Sequence, residues 1–157
     1  MALDEFDLIA RYFRTARLER AVDASATVLG IGDDAAVLQP AAGQQLVIST
    51  DTLVEGVHFP KDCPAAELGY RALAVAVSDL AAMAASPLGF TLALSLPQAT
   101  PGWLQAFSSG LADAARDAGI NLIGGDTTRG PLNIGVTVIG QVPAGQAAQP
   151  PLREDLV

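Results

Sequence analysis

The stretch Leu46-Val47-Ile48-Ser49-Thr50-Asp51-Thr52-Leu53-Val54 combines an apolar run with one carboxylate set among hydroxyl-bearing residues. Its β-branched residues favour a strand over this segment. The carboxylate of Asp51 and the neighbouring hydroxyls could hold a cation and its waters, and the alternative is an ordinary turn at the strand end. The segment therefore predicts a strand that carries a candidate metal site.

Three further acidic clusters lie at the ends of apolar runs: Gly32-Asp33-Asp34, Ser78-Asp79 and Gly124-Gly125-Asp126-Thr127-Thr128. Each places a carboxylate beside small or hydroxyl-bearing residues, where the backbone can approach a ligand closely. Oxygen ligands of this type suit Mg²⁺, which also keeps waters and phosphate oxygens in its shell. If the clusters converge in space, metal is needed to offset the repulsion between their charges. The four clusters together predict a metal-and-phosphate site.

Each of these clusters also has a plainer interpretation. Gly32-Asp33-Asp34 could be a simple turn, and at most one of its two carboxylates should face a shared ligand. Asp79 lies in an otherwise apolar helical segment, so we expect it to be buried and compensated, although Ser78-Asp79 could instead cap a helix that breaks and restarts. We interpret Gly124 to Gly130 as a glycine-rich loop that could cradle phosphate, but it matches neither the Walker nor the dinucleotide pattern.

His58 is the only histidine and Cys63 the only cysteine. A lone histidine is more often structural than catalytic, but the position of His58 just beyond the Asp51 cluster makes a substrate contact the competing interpretation. Cys63 has no histidine partner in view, so a catalytic thiol is not expected. A single cysteine also rules out an intramolecular disulfide and fits a reducing compartment, and we expect a cytoplasmic protein.

Composition bounds the class of protein. The chain has 157 residues, 50% of them hydrophobic and 17% charged, and this predicts one folded domain with an aliphatic core. The formal net charge of −8 argues against non-specific nucleic-acid binding. Residues 65–85 are long and apolar enough to raise the question of a membrane span, but Glu67, Arg71 and Asp79 interrupt them. We therefore expect a buried helix and no membrane partner.

Periodicity and breakers predict the order of the elements. A first helix is expected from about Asp4 to Arg17, and an alanine-rich helix should open at Pro64 and end before Pro87. A third helix should begin at Thr100-Pro101 and end near Ala118, ahead of Gly119. The other predicted strands are 35–38, 90–96, 120–123 and 134–142, and residues 143–151 have the composition of a linker.

At this point the motifs resemble a known family. Ile31 to Ala36, Ser49 to Phe59, Val77 to Met83 and Ile123 to Gly130 occur in the order found in thiamine-monophosphate kinases, which belong to the aminoimidazole-ribonucleotide-synthetase-like superfamily. The resemblance runs from about Glu5 to Val142. It implies an α/β (α+β) fold, with a small, mostly antiparallel sheet flanked by helices on one face. It also implies pairing of that sheet with its twin in a homodimer, forming a barrel.

The resemblance also implies the domain organisation and the activity. Residues 1–143 would form the N-terminal ATP- and Mg²⁺-binding domain, and residues 144–157 would form a linker and the start of a C-terminal domain. The implied reaction is ATP-dependent phosphorylation of thiamine phosphate to thiamine diphosphate. Several Mg²⁺ ions would be the cofactors, and ATP, thiamine phosphate and a second copy would be the partners. The chain departs from the family where an arginine that contacts ATP is expected, because Gln149-Pro150-Pro151 stands there.

The resemblance also implies site residues, which are the positions of this sequence that match the functional residues of the family. The metal ligands would be Asp34, Ser49, Thr50, Asp51, Asp79 and Asp126; Gly125 and Asp126 would bind the ATP phosphates, and His58 would contact substrate. No catalytic base is expected, because a phosphate monoester with a second pKa near ~6 is already mostly dianionic at neutral pH. Two other functions stay open: another ATP-using enzyme of the same superfamily, and a non-catalytic metal-binding dimerisation module.

Overall fold

The computed structural model describes residues 5–19 and 26–146. Its helical segments are α1 (Glu5–Leu8), a π-helical turn (Ile9–Phe13), α2 (Ala16–Glu19), α3 (Ala65–Ala82) and α4 (Pro101–Ala118). Its strands are β1 (Thr27–Leu29), β2 (Val37–Leu38), β3 (Gln44–Val54), β4 (Ser86–Leu96), β5 (Leu122–Arg129) and β6 (Asn133–Pro143). Residues 1–4, 20–25 and 147–157 lie outside the described part, including the expected cap Asp4 and most of the expected linker.

The strands form one small sheet and a separate hairpin. The sheet has the order β3-β6-β4-β5, and β1 pairs with β2. Within the sheet only the β4–β5 pair is parallel. The expectation of a mixed α/β fold with a small, mostly antiparallel sheet is therefore confirmed.

The helix α3 is continuous through Ser78 and Asp79, so the alternative of a break at that point is wrong. The Ser78 hydroxyl donates to the carbonyl of Val75 at 2.6 Å and is therefore satisfied within the helix. The helix ends at Ala82 with Met83 as its C-cap, and the next residue, Ala84, takes a left-handed conformation with φ 53°. The backbone N–H of Ala85 then bonds to the carbonyl of Leu80 at 2.8 Å, which closes the helix end.

The first predicted helix is interrupted, which corrects the expectation of one helix from Asp4 to Arg17. The N–H of Arg14 bonds to the carbonyl of Ile9 at 2.7 Å, five residues back, and this closes a π-helical turn. Tyr12 and Phe13, which are adjacent in sequence, are both buried. The wider turn changes the angle between successive side chains, and hydrophobic spacing alone did not reveal it.

The core lies between the sheet and the helices α3 and α4. Along β6 buried and partly buried residues alternate, and Ile134, Val136 and Val138 are buried on one face. The helix α3 packs against β3, β4 and β6, and α4 packs on α3. At that crossing a Cβ added to Gly110 would collide with the backbone of Ala66, so two glycines allow close contact of the helices: Gly69 and Gly110.

The other face of the sheet stays open along β3. Leu46 and Ile48 are 48% and 62% exposed in the single chain, on the face that the implied pairing with a second copy would cover. In the described part of the chain, no helix is long and apolar enough to span a membrane.

Candidate functional site

The alternation of β3 places Ser49 and Asp51 on the face toward α3, and there they meet Asp79. The Ser49 hydroxyl donates to Oδ2 of Asp79 at 2.5 Å. Asp51 is close enough to Asp79 to feel its charge. The helix α3 lies against β3, so two carboxylates 28 positions apart in the sequence become neighbours.

The charge of this pair is incompletely compensated. Burial raises the pKa of Asp51, and the nearby carboxylate of Asp79 raises it further. Asp79 itself is exposed, which corrects the expectation that it is buried. A half-exposed pair of carboxylates with a neighbouring hydroxyl offers the oxygen donors that suit a hard divalent cation, so these residues fit Mg²⁺.

Thr50 belongs to the same four-residue run but faces the opposite way. Its hydroxyl lies 2.9 Å from that of Thr137 on the neighbouring strand β6, on the face away from α3. The Thr50 hydroxyl thus lies on the opposite face of β3 from Ser49 and Asp51, and the assignment of Thr50 as a metal ligand stays a prediction. Successive side chains of a strand point to opposite faces, and the run lies within β3 rather than at its end.

Asp126 lies at a distance from the Asp51–Asp79 pair. Pairing across the sheet places Asp51, Val136, Leu92 and Gly125 in one row, and Asp126 belongs to the next row, opposite Ala93. At a strand spacing of roughly 4.8 Å, β3 and β5 are about 14 Å apart. In residues 5–19 and 26–146, no three His, Cys, Asp or Glu side chains form a group that could hold a metal ion. The chain thus unites Asp51 with Asp79 and leaves Asp34 and Asp126 elsewhere.

The Gly32-Asp33-Asp34 turn and the Gly124-Gly125 segment meet at a different point, which is a cavity of about 910 Å³. Thr127 also lines this cavity, and the N-terminal segment closes one wall. Asp34 is exposed at the cavity. The cavity therefore joins two of the four acidic clusters, although about 90 residues of the sequence separate them.

The expected glycine-rich loop is a strand, which corrects its interpretation as a loop. Residues Leu122–Arg129 pair with β4 in parallel, and Gly125 adopts φ 148°. A Cβ at Gly125 would collide with the backbone of Leu92, so only glycine fits there. Among the described strands β5 is at the edge of the sheet, and alternate backbone N–H groups therefore point away from β4 and can donate to an anion.

His58 sits in a tight turn that follows β3. The backbone N–H of Val54 donates to Nδ1 of His58 at 3.0 Å, and the backbone N–H of His58 donates to the carbonyl of Val54 at 2.9 Å. The first bond makes Nδ1 the acceptor and leaves Nε2 with the proton. The histidine is exposed, so its Nε2–H can reach a ligand while Nδ1 holds the turn.

Sequence reasoning missed the N-terminal wall of the cavity. Ile9, Ala10, Phe13 and Arg14 line it, but their spacing predicted only an amphipathic helix. No local signal marks a π-helical turn, and none indicates that the segment will lie at this cavity. The opposite directions of Thr50 and Asp51, by contrast, follow from the strand prediction itself.

The fold and the paired carboxylates define a class: an α/β domain whose sheet and helix bring two carboxylates and a hydroxyl together. Residues 32–142 match the family model described as "AIR synthase related protein, N-terminal domain". The chain therefore belongs to this family.

The resemblance to thiamine-monophosphate kinases is also confirmed. The chain is 52% identical over 147 residues to the thiamine-monophosphate kinase of Escherichia coli (strain K12), covering 94% of this chain and 44% of that protein. The crystal structure of the thiamine-monophosphate kinase from Stenotrophomonas maltophilia K279a matches with 53% identity and a TM-score of 0.79, over 95% of this chain and 46% of that one. The chain thus spans less than half the length of these relatives.

A more distant solved structure shares the fold. The hydrogenase maturation protein HypE, in a structure described as a complex with ATP, matches with 26% identity and a TM-score of 0.69. The match covers 92% of this chain and 42% of HypE.

Proposed function

We propose that this chain is the N-terminal part of an enzyme that uses ATP to phosphorylate thiamine phosphate to thiamine diphosphate. The observation that carries the proposal is the 52% identity to a thiamine-monophosphate kinase over nearly the whole chain. The Asp51–Asp79 pair supports it, because two neighbouring carboxylates are the feature that a metal-assisted phosphoryl transfer requires.

Asp51 and Asp79 would hold Mg²⁺ together with Ser49, and Asp34 and Asp126 would take part through the bound nucleotide or through residues beyond this chain. Mg²⁺ in these positions would neutralise the phosphates of the two substrates and so reduce their mutual repulsion. The Thr50 side chain faces away, so any contribution of Thr50 to a metal would come from its backbone carbonyl.

The remaining groups would bind and orient substrates. The outward N–H groups of β5 near Gly125 would donate to nucleotide phosphate, and Nε2–H of His58 would donate to thiamine phosphate. No residue needs to remove a proton, because the attacking phosphate oxygen is already ionised at neutral pH. Alignment and charge neutralisation would therefore supply most of the rate.

A symmetric homodimer is part of the same proposal. The exposed Leu46 and Ile48 lie on the open face of the sheet, and an isologous contact with a second copy would cover them. A cytoplasmic location, expected from the single cysteine, also remains a proposal.

The decisive assay measures thiamine diphosphate formed from Mg²⁺-ATP and thiamine phosphate. It compares the 157-residue chain with the same chain extended to the full length of its relatives. We expect the extended protein to be active and the short chain to be folded but inactive, since loss of alignment lowers the rate by orders of magnitude. Equal activity of both would show that the site is complete within these residues.

A substrate panel separates the alternatives. An extended protein that consumes ATP with another acceptor, and not with thiamine phosphate, would be another enzyme of the superfamily. If it bound Mg²⁺ and dimerised but transferred phosphate to no acceptor, the non-catalytic module would be the better description.

A further inference from the structure

Most positive charges in the described part of the chain are already compensated. Three arginines there form ion pairs with carboxylates, and the guanidinium of Arg11 lies over the ring of Tyr12. The remaining basic side chains of residues 5–19 and 26–146 have no ion pair, hydrogen bond or ring contact there: Lys61, Arg71 and Arg129. Among these three, Arg71 is the one that shares an element with the carboxylate pair, because it lies in α3 with Asp79.

Arg71, Val75 and Asp79 are spaced four residues apart in α3 and therefore form one ridge along the helix. All three are exposed, and Val75 is a large apolar residue that keeps 39% of its surface accessible. The strand β3, on which Asp79 meets Ser49, is at the edge of the sheet among the described strands. A ligand bound beside Asp79 can therefore extend along this ridge.

The contacts of α3 show its direction relative to β3. A methyl carbon of Leu80, near the end of the helix, lies 3.1 Å from the position that a Cβ on Gly140 would take. Gly140 pairs with Val47, which is near the start of β3. The N-terminal half of α3, which includes Arg71, therefore extends toward the end of β3, where the turn with His58 follows.

Arg71 is within reach of an anion that is bound beside the carboxylate pair. Arg71 and Asp79 are eight residues apart in a continuous helix, which is about 12 Å along its axis. A divalent cation on Asp79, a phosphate group and a long arginine side chain together can span such a distance. The guanidinium presents paired N–H donors in a planar fork that matches two oxygens of a phosphate.

We propose that Arg71 binds the phosphate group of the acceptor, next to the Mg²⁺ that Asp51 and Asp79 would hold. The inference rests on the proposed function and adds a residue to which the resemblance gives no role. The acceptor phosphate is mostly dianionic at neutral pH, and the fixed charge of Arg71 would offset its repulsion by the site carboxylates. Arg71 would hold two of its oxygens. The third would form the new bond to the γ-phosphorus of ATP as the bond to the ADP oxygen breaks, and ADP leaves with that electron pair.

The test removes the guanidinium and measures which substrate loses affinity. In the protein extended to full length, Arg71→Gln should raise KM for thiamine phosphate about tenfold or more and change KM for ATP less than about twofold. Arg71→Lys keeps the charge without the planar fork and should give a smaller rise. Because Arg71 is exposed, both variants should fold, and circular dichroism verifies this.

Three controls separate phosphate recognition from a general effect of charge. Thiamine has no phosphate, so its inhibition constant should be the same in Arg71→Gln as in the unmodified protein. Lys61→Gln removes an equal charge from the exposed loop before α3 and should leave both KM values unchanged. In the 157-residue chain, calorimetric titration with inorganic phosphate in the presence of Mg²⁺ should show binding about tenfold weaker for Arg71→Gln.

The outcomes separate the role of Arg71 from the proposed function. Unchanged KM values in Arg71→Gln, an equal weakening of thiamine and thiamine phosphate, or an equal rise in KM for ATP would overturn the role of Arg71 and leave the kinase function standing. An extended protein that does not phosphorylate thiamine phosphate would contradict the proposed function instead. The titration with inorganic phosphate then decides about Arg71 alone, and equal binding by the unmodified and Arg71→Gln chains would overturn its role.

Discussion

Ionisation of Asp51 destabilises the folded chain unless a cation is bound. Its pKa is raised from 3.8 by burial and by the charge of Asp79, so the folded chain holds that proton more tightly than the unfolded chain does. The protonated Asp51 carboxyl therefore makes its full contribution to the free energy of unfolding below pH 3.8. That contribution is lost as the pH rises through the raised pKa. A neutral side chain in place of Asp51 should therefore raise the free energy of unfolding at neutral pH.

The variant Asp51→Asn tests this sign. In chelator-treated buffer at pH 7 it should have a higher free energy of unfolding than the unmodified chain, and the gap should shrink as the pH falls toward 3.8. Saturating Mg²⁺ should reverse the order, since only the unmodified chain keeps both carboxylates. Urea denaturation at several pH values measures the gap, and a gap that widens on acidification would contradict the assignment.

His58 should contact substrate through Nε2 rather than transfer protons. In a full-length protein, His58→Asn places an amide oxygen near the position of Nδ1 and can preserve the bond to the Val54 N–H. It should raise KM more than it lowers kcat. His58→Gln cannot hold the turn in the same way and should also lower stability. A large loss of kcat at unchanged KM, with a pH profile shifted near neutrality, would make His58 an acid–base residue.

At the scale of single residues, Asp51 and Asp79 were predictable from the sequence as candidate ligands, but the side chains that neighbour them in space were not. Composition and spacing identified Asp51 and Asp79 as candidate ligands, and the structure shows that they are neighbours. The bond from Ser49 to Asp79 depends on how α3 crosses β3, which no local pattern contains. The assignment of Nδ1 in His58 similarly required the geometry of the turn.

Among the elements, the contact between α3 and α4 is the most sensitive to an added methyl group. Gly110→Ala would drive a Cβ into the backbone of Ala66, so the helices must separate. Overpacking of this kind lowers the free energy of unfolding by about 1–3 kcal/mol. Gly102→Ala is the matched control, because a Cβ there meets nothing within 4 Å and the residue lies in the first turn of α4.

Chemical denaturation of the two glycine variants separates packing from helix propensity. We expect Gly102→Ala to be neutral or stabilising by up to about 1 kcal/mol, because alanine favours the helix. If both substitutions changed stability by the same amount and in the same direction, close packing at Gly110 would not be the cause.

Elements with strong periodicity or clear end signals were predictable from the sequence. Pro64, Pro101 and Gly119 mark the ends of α3 and α4 as expected. The segment from Gly124 to Arg129 was not predictable, because glycines usually indicate a loop, whereas here Gly125 is required by close contact with β4. Long-range pairing overrides local propensity in such a strand.

For the whole molecule, the open face of the sheet predicts self-association. Ile48→Glu would place a charge in the proposed interface and should convert the dimer to a monomer, since an unpaired buried charge is strongly unfavourable. Val57→Glu is the control, because Val57 is 75% exposed in the turn beyond β3. Light scattering at high micromolar concentration gives the mass, and an unmodified chain that is monomeric there would contradict the proposed dimer.

The order of the motifs was sufficient to recognise the family, but the spatial arrangement of the site was not contained in it. Sequence reasoning expected four acidic clusters around one metal site. The chain forms a carboxylate pair toward α3 and a separate cavity at the β5 edge, because alternate side chains of a strand face opposite ways and β3 and β5 are three strand spacings apart.

The central claim is that Asp51 and Asp79 together form a Mg²⁺ site in a nucleotide-binding domain. Calorimetric titration of the 157-residue chain with Mg²⁺ in the presence of ATP tests it most directly. We predict that Asp51→Asn and Asp79→Asn each weaken binding about tenfold or more, since each removes one of two charged ligands, while the exposed Asp62→Asn binds normally. Binding in both site variants equal to that of the unmodified chain would contradict the claim.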